Sequence, residues 1–366
     1  MARYRSFRDL DWSLLALTLV ICALGVLQIY SATRGTRYQD AWWKQLIYIA
    51  LGMGLMWIVS TVDYHNLLGQ VPLLYAVSLV LLGVTRLWGS VIFGARRWIR
   101  VFGFNFQASE FVKLVVILVI ARYLSELKRD EVEPRDFLKL GLLVGLPAFI
   151  VLRQPDLGTA LTYLPFLGVG ILIAGISWRY LAIFAIVLAL ALPAAWFLVE
   201  PRLAPYQRAR LMTFLDPGRD PRGAGYHVNQ SRIAVGDGGM WGRGVTHGSQ
   251  TQLHFLPVPH ADFIISSFAE EHGFIGVSVV IGLYFLLLMQ IVQNAQSAPD
   301  RAGMYICMGA ATLMLFHLLV NLGMAVGNMP VTGIPLPLMS AGGSNIISMF
   351  MLLGLVHNVR LRRSVG

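Results

Sequence analysis

Residues 12–31 read WSLLALTLVICALGVLQIYS, a run of twenty without one Asp, Glu, Lys or Arg. At 1.5 Å per residue, a helix of that length reaches about 30 Å, the depth of a bilayer's hydrocarbon core. No small-residue cleavage site follows the run and it is long enough to cross, so it is expected to be a span and not a removed signal peptide. The same signal recurs outward along the chain, at 41–61, 72–88, 108–124, 138–152, 157–176, 180–199, 263–292, 303–326 and 343–359. Together these predict an all-α polytopic membrane protein of about ten transmembrane helices. Residues 1–366 form one integral membrane domain, with residues 200–262 as a long extracytoplasmic loop before the eighth span.

Composition closes off the other classes. The chain is 56% hydrophobic and 13% charged, with mean hydropathy +0.64, whereas soluble chains carry about 25% charged residues. A soluble globular protein and a disordered one are both excluded, and the alternation of a β-barrel is missing. Cys22 and Cys307 lie inside apolar runs and form no disulfide framework or metal motif. A net charge of +10 suits anionic lipid head groups. No nucleic-acid motif accompanies it, so nucleic acid is not an expected partner.

Arg3, Arg5 and Arg8 precede the first run, and Arg360, Arg362 and Arg363 follow the last. Positive charge is retained in the cytoplasm, and an even number of spans puts both termini there. The mixed-charge stretch 125–136 falls on the same side. Loop 200–262 is long enough to translocate whatever its charge, and long loops are usually functional or disordered. Chemistry is therefore expected on the outer face.

Asp262 ends that loop, in LPVPHADFIISSFAEE. A carboxylate at the membrane boundary is partly desolvated, which favours proton acceptance; equally, an Asp there can be a helix N-cap. Glu110 and Lys113 lie three residues apart, on one face of the fourth run. Charges inside a span face the bundle interior or a wet cavity, so they are either a structural ion pair or the wall of a substrate site, with Lys113 suited to phosphate. Arg96 and Arg97, beside Trp98, fit phosphate or interfacial lipid. Asp156 either caps the next helix or faces the same site as Asp262, and Arg208 and Arg210 are candidates for an anionic substrate. The glycines at 236, 238, 239, 242 and 244 match neither a dinucleotide fingerprint nor a P-loop and read as flexible turn. His247, His254 and His260 have no standard zinc spacing. The Pro- and Gly-rich stretch 328–344, ending at Ser344, cannot be continuous helix. At membrane level it must be buried or line a cavity.

The ordered motifs GARRWI (94–99), FQASEFVKL (106–114), QPDLGT (154–159), GAGYHVNQSRIAVGDGG (223–239), FLPVPHADFI (255–264) and NMPVTGIPLPLMSAGGS (328–344) resemble those of the SEDS (shape, elongation, division and sporulation) family. The stretch 205–236 is more similar to the elongation branch than to the division branch. The resemblance implies a peptidoglycan glycosyltransferase polymerising lipid II at the outer face of the bacterial cytoplasmic (inner) membrane. Its essential acid falls on Asp262, its fourth-span pair on Glu110 and Lys113, and its QPD aspartate on Asp156. It also implies an undecaprenyl-linked substrate, a class B penicillin-binding protein as partner, and the elongation machinery. Ala108, Asp237, Val258, Ala261, Ala341 and Asn345 depart from the family's usual residues.

The mechanism expected is inverting transfer, with Asp262 as general base and undecaprenyl pyrophosphate as leaving group. Lys113, Arg96, Arg97, Arg208 and Arg210 are the cations available to that group. A divalent cation, Mg or Mn, held partly by substrate phosphates is compatible with this chemistry; a tight protein metal site is not expected. The alternatives are a flippase for lipid-linked precursors and a noncatalytic scaffold that activates a penicillin-binding protein.

Overall fold

The computed structural model describes residues 11–92, 95–101, 104–127, 129, 131–180, 182–183 and 224–363. Arg208 and Arg210, most of the expected seventh span, and the basic residues at 3, 5 and 8 lie outside the described residues.

Helices α1 (Trp12–Thr33), α2 (Ala41–Thr61), α3 (Tyr64–Gly69) and α4 (Val71–Trp88) come first. A small antiparallel sheet follows, with strands β1 (Ser90–Ile92), β2 (Ala95–Val101) and β3 (Phe104–Phe106) in sequence order. Then come α5 (Ala108–Ser125), α6 (Pro134–Leu152) and α7 (Leu157–Ala174). After the gap in the description stand α8 (Ala224–Asp237), α9 (Ser249–Gln252), α10 (Ile264–Gln296), α11 (Arg301–Ala325) and α12 (Gly343–Arg362). Among the described residues, seven helices are long and apolar enough to cross a membrane: α1, α2, α4, α7, α10, α11 and α12. Helices α5 and α6 occupy the expected fourth and fifth spans but carry charges, Glu110, Lys113 and Arg122 on the one and Arg135, Asp136 and Lys139 on the other.

Aspartates start several of these helices by satisfying free backbone N–H groups. Asp11 accepts from Leu14 N at 3.1 Å, Asp156 from Thr159 N at 3.2 Å and Asp300 from Gly303 N at 2.7 Å. Helix α12 is buried along nearly its whole length and packs on α2. Small residues permit that approach: a methyl built on Gly354 would lie 2.8 Å from Met56 O, and one on Gly52 2.7 Å from the Phe350 ring. Large apolar side chains such as Leu73, Val80, Leu138 and Phe285 remain exposed on the flanks, as lipid-facing positions must.

Asp11 ion-pairs with Arg360 and accepts from Gln290 at 2.9 Å and Asn294 at 3.0 Å. The start of α1 and the end of α12 therefore share one face. The opposite face collects the α1–α2 turn, the sheet, the 153–156 connection, residues 224–262 and the segment 326–342.

Three features differ from expectation. Residues 90–92, 95–101 and 104–106 form the sheet, where sequence reading saw only a patch of Arg96, Arg97 and Trp98 and no strands. Residues 224–237 form α8 in what reads as loop; it is held by packing, with Val228 and Ala234 buried and Ser231 Oγ donating to Ala325 O at 2.7 Å. The glycines beyond it are tightly packed turn: a methyl on Gly238 would lie 2.0 Å from Ala269 O, and one on Gly242 2.2 Å from Glu271 O. That loop enters a break in α10, where Gly273 has φ +66°. There Phe274 N donates to Gly239 O at 2.8 Å and Arg243 N to Glu270 O at 2.9 Å, so groups freed by the break find partners.

Candidate functional site

Segment 326–342 is irregular yet largely buried, with Ile334, Leu336, Leu338 and Met339 at 2% exposure or less. Its backbone polar groups must be satisfied internally, and the partners it finds assemble the site. Ala341 N donates to His260 O at 2.9 Å, and Ser340 Oγ donates to Ala261 O at 2.7 Å. Asn321 Nδ2, from α11, donates to Asp262 O at 3.0 Å. Three consecutive carbonyls before α10 are thereby fixed. Phe263, not Asp262, is the N-cap of α10, and it makes no side-chain cap bond. The half-buried Asp262 carboxylate lies against Gly333, where an added methyl would come within 3.5 Å of Oδ2. Neighbouring His260 stacks near Tyr38, ring centroids 5.0 Å apart, and burial lowers its pKa so that it is neutral near pH 7.

Glu110 and Lys113 stand in the first two turns of α5 at 4% and 1% exposure, paired at 2.9 Å. Glu110 Oε2 also accepts from Asn345 Nδ2 at 2.9 Å and Ser348 Oγ at 3.3 Å, both on α12. Lys113 Nζ lies 3.4 Å from His317 Nε2 on α11, whose Nδ1 is 3.2 Å from Pro335 O. An ammonium only donates and a carbonyl only accepts, so His317 is the neutral Nδ1–H tautomer, handing the contact on to the irregular segment.

The sheet supplies the third part. Side chains alternate along a strand: Arg97 turns inward and Arg96 outward. Arg97 Nη1 is 3.4 Å from Asp156 Oδ1, and its guanidinium lies 4.3 Å from the Trp98 ring centre. Arg96 is exposed and donates to Leu87 O at 3.4 Å. Asp156 caps α7 and also accepts from Gln107 Nε2 at 3.0 Å. Gln107 N donates to Ser344 Oγ at 2.9 Å, and Ser344 donates to Asn105 O at 3.1 Å.

The fold thus brings Arg97, Asp156, Ser344, Glu110 and Lys113 into one polar network along the start of α12, with Asp262 joined to it through segment 333–341. Arg96 stands apart from that network. Sequence reading missed His317, Asn321, Asn345, Ser348 and Gln107. His317 and Asn321 carried a legible signal, being polar residues one turn apart within an apolar run. Among the described residues no group of three or more His, Cys, Asp or Glu could hold a metal ion.

The family model described as "Cell cycle protein", which covers FtsW, RodA and SpoVE, matches residues 11–364. The peptidoglycan glycosyltransferase MrdB of Escherichia coli (strain K12) is 35% identical over 362 residues, covering 97% of this chain and 95% of that protein. A chain from a peptidoglycan synthase complex that coordinates polymerization and crosslinking superposes with TM-score 0.84 at 34% identity, covering 98% of this chain and 99% of its own length. The crystal structure of the rod shape determining protein RodA from Thermus thermophilus superposes with TM-score 0.71 at 30% identity, covering 97% of each chain.

Proposed function

This chain belongs to the FtsW/RodA/SpoVE family, and from that premise we propose that it polymerises lipid II into glycan strands, with Asp262 as the base. It is a multi-pass membrane peptidoglycan glycosyltransferase of the RodA type, working in cell elongation. The face bearing Asp262 is assigned to the outer side of the cytoplasmic membrane, and both termini to the cytoplasm. The supporting charges are Arg360, Arg362 and Arg363 at the opposite end of α12.

The observation that carries the reading is the Asp262 carboxylate, half-buried against Gly333 on a backbone fixed at three successive carbonyls. A sugar hydroxyl of the acceptor attacks the donor's anomeric carbon. The new C–O bond forms as the bond to pyrophosphate breaks, with inversion. The hydroxyl proton passes to an Asp262 oxygen, and undecaprenyl pyrophosphate leaves with the electron pair. General-base catalysis is worth about 10²–10⁴-fold. Negative charge building on the leaving group calls for preplaced positive charge. Arg97, 24% exposed, can reach a phosphate with its guanidinium. Lys113, at 1% exposure, acts through its field from within the protein. A Mg or Mn ion would arrive on the substrate's own phosphates, and no step assigned to the chain's residues runs through it. Crosslinking belongs to a class B penicillin-binding protein bound alongside.

Purified protein incubated with lipid II, with glycan chains resolved on a gel, tests the reading. Asp262→Ala should polymerise about 10²–10⁴-fold more slowly at unchanged folded yield. Equal polymerisation by both proteins removes Asp262 as the base. If neither polymerises with the penicillin-binding protein present, a flippase or scaffold gains.

A further inference from the structure

Asn321 lies in the apolar helix α11, fully buried at 0% exposure. Its amide nitrogen has two hydrogens and uses them on two carbonyls: Asp262 O at 3.0 Å and Ile334 O at 2.9 Å. The reverse amide orientation would set its oxygen against both carbonyl oxygens, so the chemistry of the contacts fixes which atom is nitrogen. The oxygen, Oδ1, is buried without a hydrogen-bond partner. A buried acceptor left unmatched costs stability. An apolar side chain would spare that cost but would leave both carbonyls without this donor, so what Asn brings is the double donor.

The carbonyls it joins flank the proposed reaction centre. One belongs to Asp262 itself. The other belongs to the residue after Gly333, whose Cα faces the Asp262 carboxylate. One helical turn earlier, His317 holds the next carbonyl, Pro335 O, at 3.2 Å and meets Lys113 at 3.4 Å on its other nitrogen. Residues i and i+4 share one helix edge. That edge of α11 therefore grips segment 334–335 twice, with the carboxylate on one side and the buried cation on the other.

We propose that Asn321 is a positioning residue for the transfer reaction: by clamping Asp262 O to Ile334 O it fixes where the carboxylate stands relative to Gly333 and to the Lys113 pair. The inference rests on the reading of Asp262 as the base. Asn321 does not touch substrate; its effect passes through the backbone of residue 262.

The experiment uses the full-length protein with lipid II, comparing wild type, Asn321→Ala, Asn321→Ser, Ser340→Ala and Asp262→Ala, each assayed per folded molecule after size exclusion. A misplacement of about 1 Å is worth about 100-fold in rate. Asn321→Ala should therefore lower kcat about 10- to 100-fold, leave KM for lipid II within about threefold, and move the acid limb of the pH–rate profile, which reports the base. Asn321→Ser carries the same test if the Ala variant does not fold, and Ser340→Ala, which frees the adjacent carbonyl, should show a smaller loss of the same kind. A merely structural residue would reduce folded yield while kcat and the pH profile per folded molecule stay as in wild type, and that result overturns the proposal. Asp262→Ala separates the two failures. If it polymerises like wild type, the base assignment is wrong; if it is inactive while the Asn321 variants match wild type, the positioning inference alone falls.

Discussion

Lys113 and Glu110 allow stability and chemistry to be separated, because the pair can be removed whole or by halves. Their charged atoms are 2.9 Å apart at 1% and 4% exposure. At an effective dielectric constant of about 20, the attraction across that gap is about 6 kcal/mol. Several kcal/mol of lost hydration per ion offset it, so the intact pair is near neutral for stability. Removing one member leaves the other charge buried and unmatched. Lys113→Met should therefore destabilise by about 3–5 kcal/mol. Glu110→Gln should cost as much, even though the neutral amide could still meet Asn345 and Ser348. The double variant removes both charges and should recover most of the lost stability. Thermal unfolding in detergent reads the first quantity, and lipid II polymerisation per folded molecule reads the second. If the cation's field acts on the leaving group, the double variant is stable but strongly impaired. A stable double variant that polymerises at the wild-type rate would reduce the pair to a structural element and refute the electrostatic role.

Other outcomes follow from local geometry. The Glu270 carboxylate is fully buried and accepts from Gln250 N at 2.6 Å, Thr251 N at 3.0 Å, Thr251 Oγ1 at 2.6 Å and, more weakly, Ser249 Oγ at 3.5 Å; Glu270→Ala leaves these donors without their acceptor and should cost about 3 kcal/mol or more, read as faster proteolysis within residues 242–252. Gly238→Ala drives a methyl to 2.0 Å from Ala269 O, a backbone clash worth about 1–3 kcal/mol, and a melting temperature equal to wild type would contradict the packing of this turn. On the opposite face, His65 bridges Asp63 at 2.9 Å and Asp300 at 2.6 Å. Burial works against its charged form, but the hydrogen bonds to both carboxylates outweigh that and raise its pKa. The stability it contributes is then fully present below about 6.5, the unfolded value, and is lost as pH rises through the higher folded value. His65→Gln should flatten the dependence of melting temperature on pH in that window.

Run length and charge placement settled the membrane class from sequence, because crossing a bilayer is a one-dimensional requirement: enough consecutive apolar residues to cover its depth. The same logic picked out Glu110, Lys113 and Asp262, since a charge in or beside an apolar run needs a reason whatever the fold. Partners obey no such rule. Glu110 meets Asn345 from 235 positions away, and Gln107 meets Ser344 from 237; helix packing alone decides those encounters. Helix α8 and the strands at 90–106 are short and weakly patterned, and such elements owe their stability to what they dock against. At the break around Gly273 the backbone groups find their partners in the turn at 238–244, which lies distant in sequence. Sequence therefore marked which residues needed explaining, and tertiary structure decided which of them stand together, because local hydropathy is additive along the chain while proximity is not.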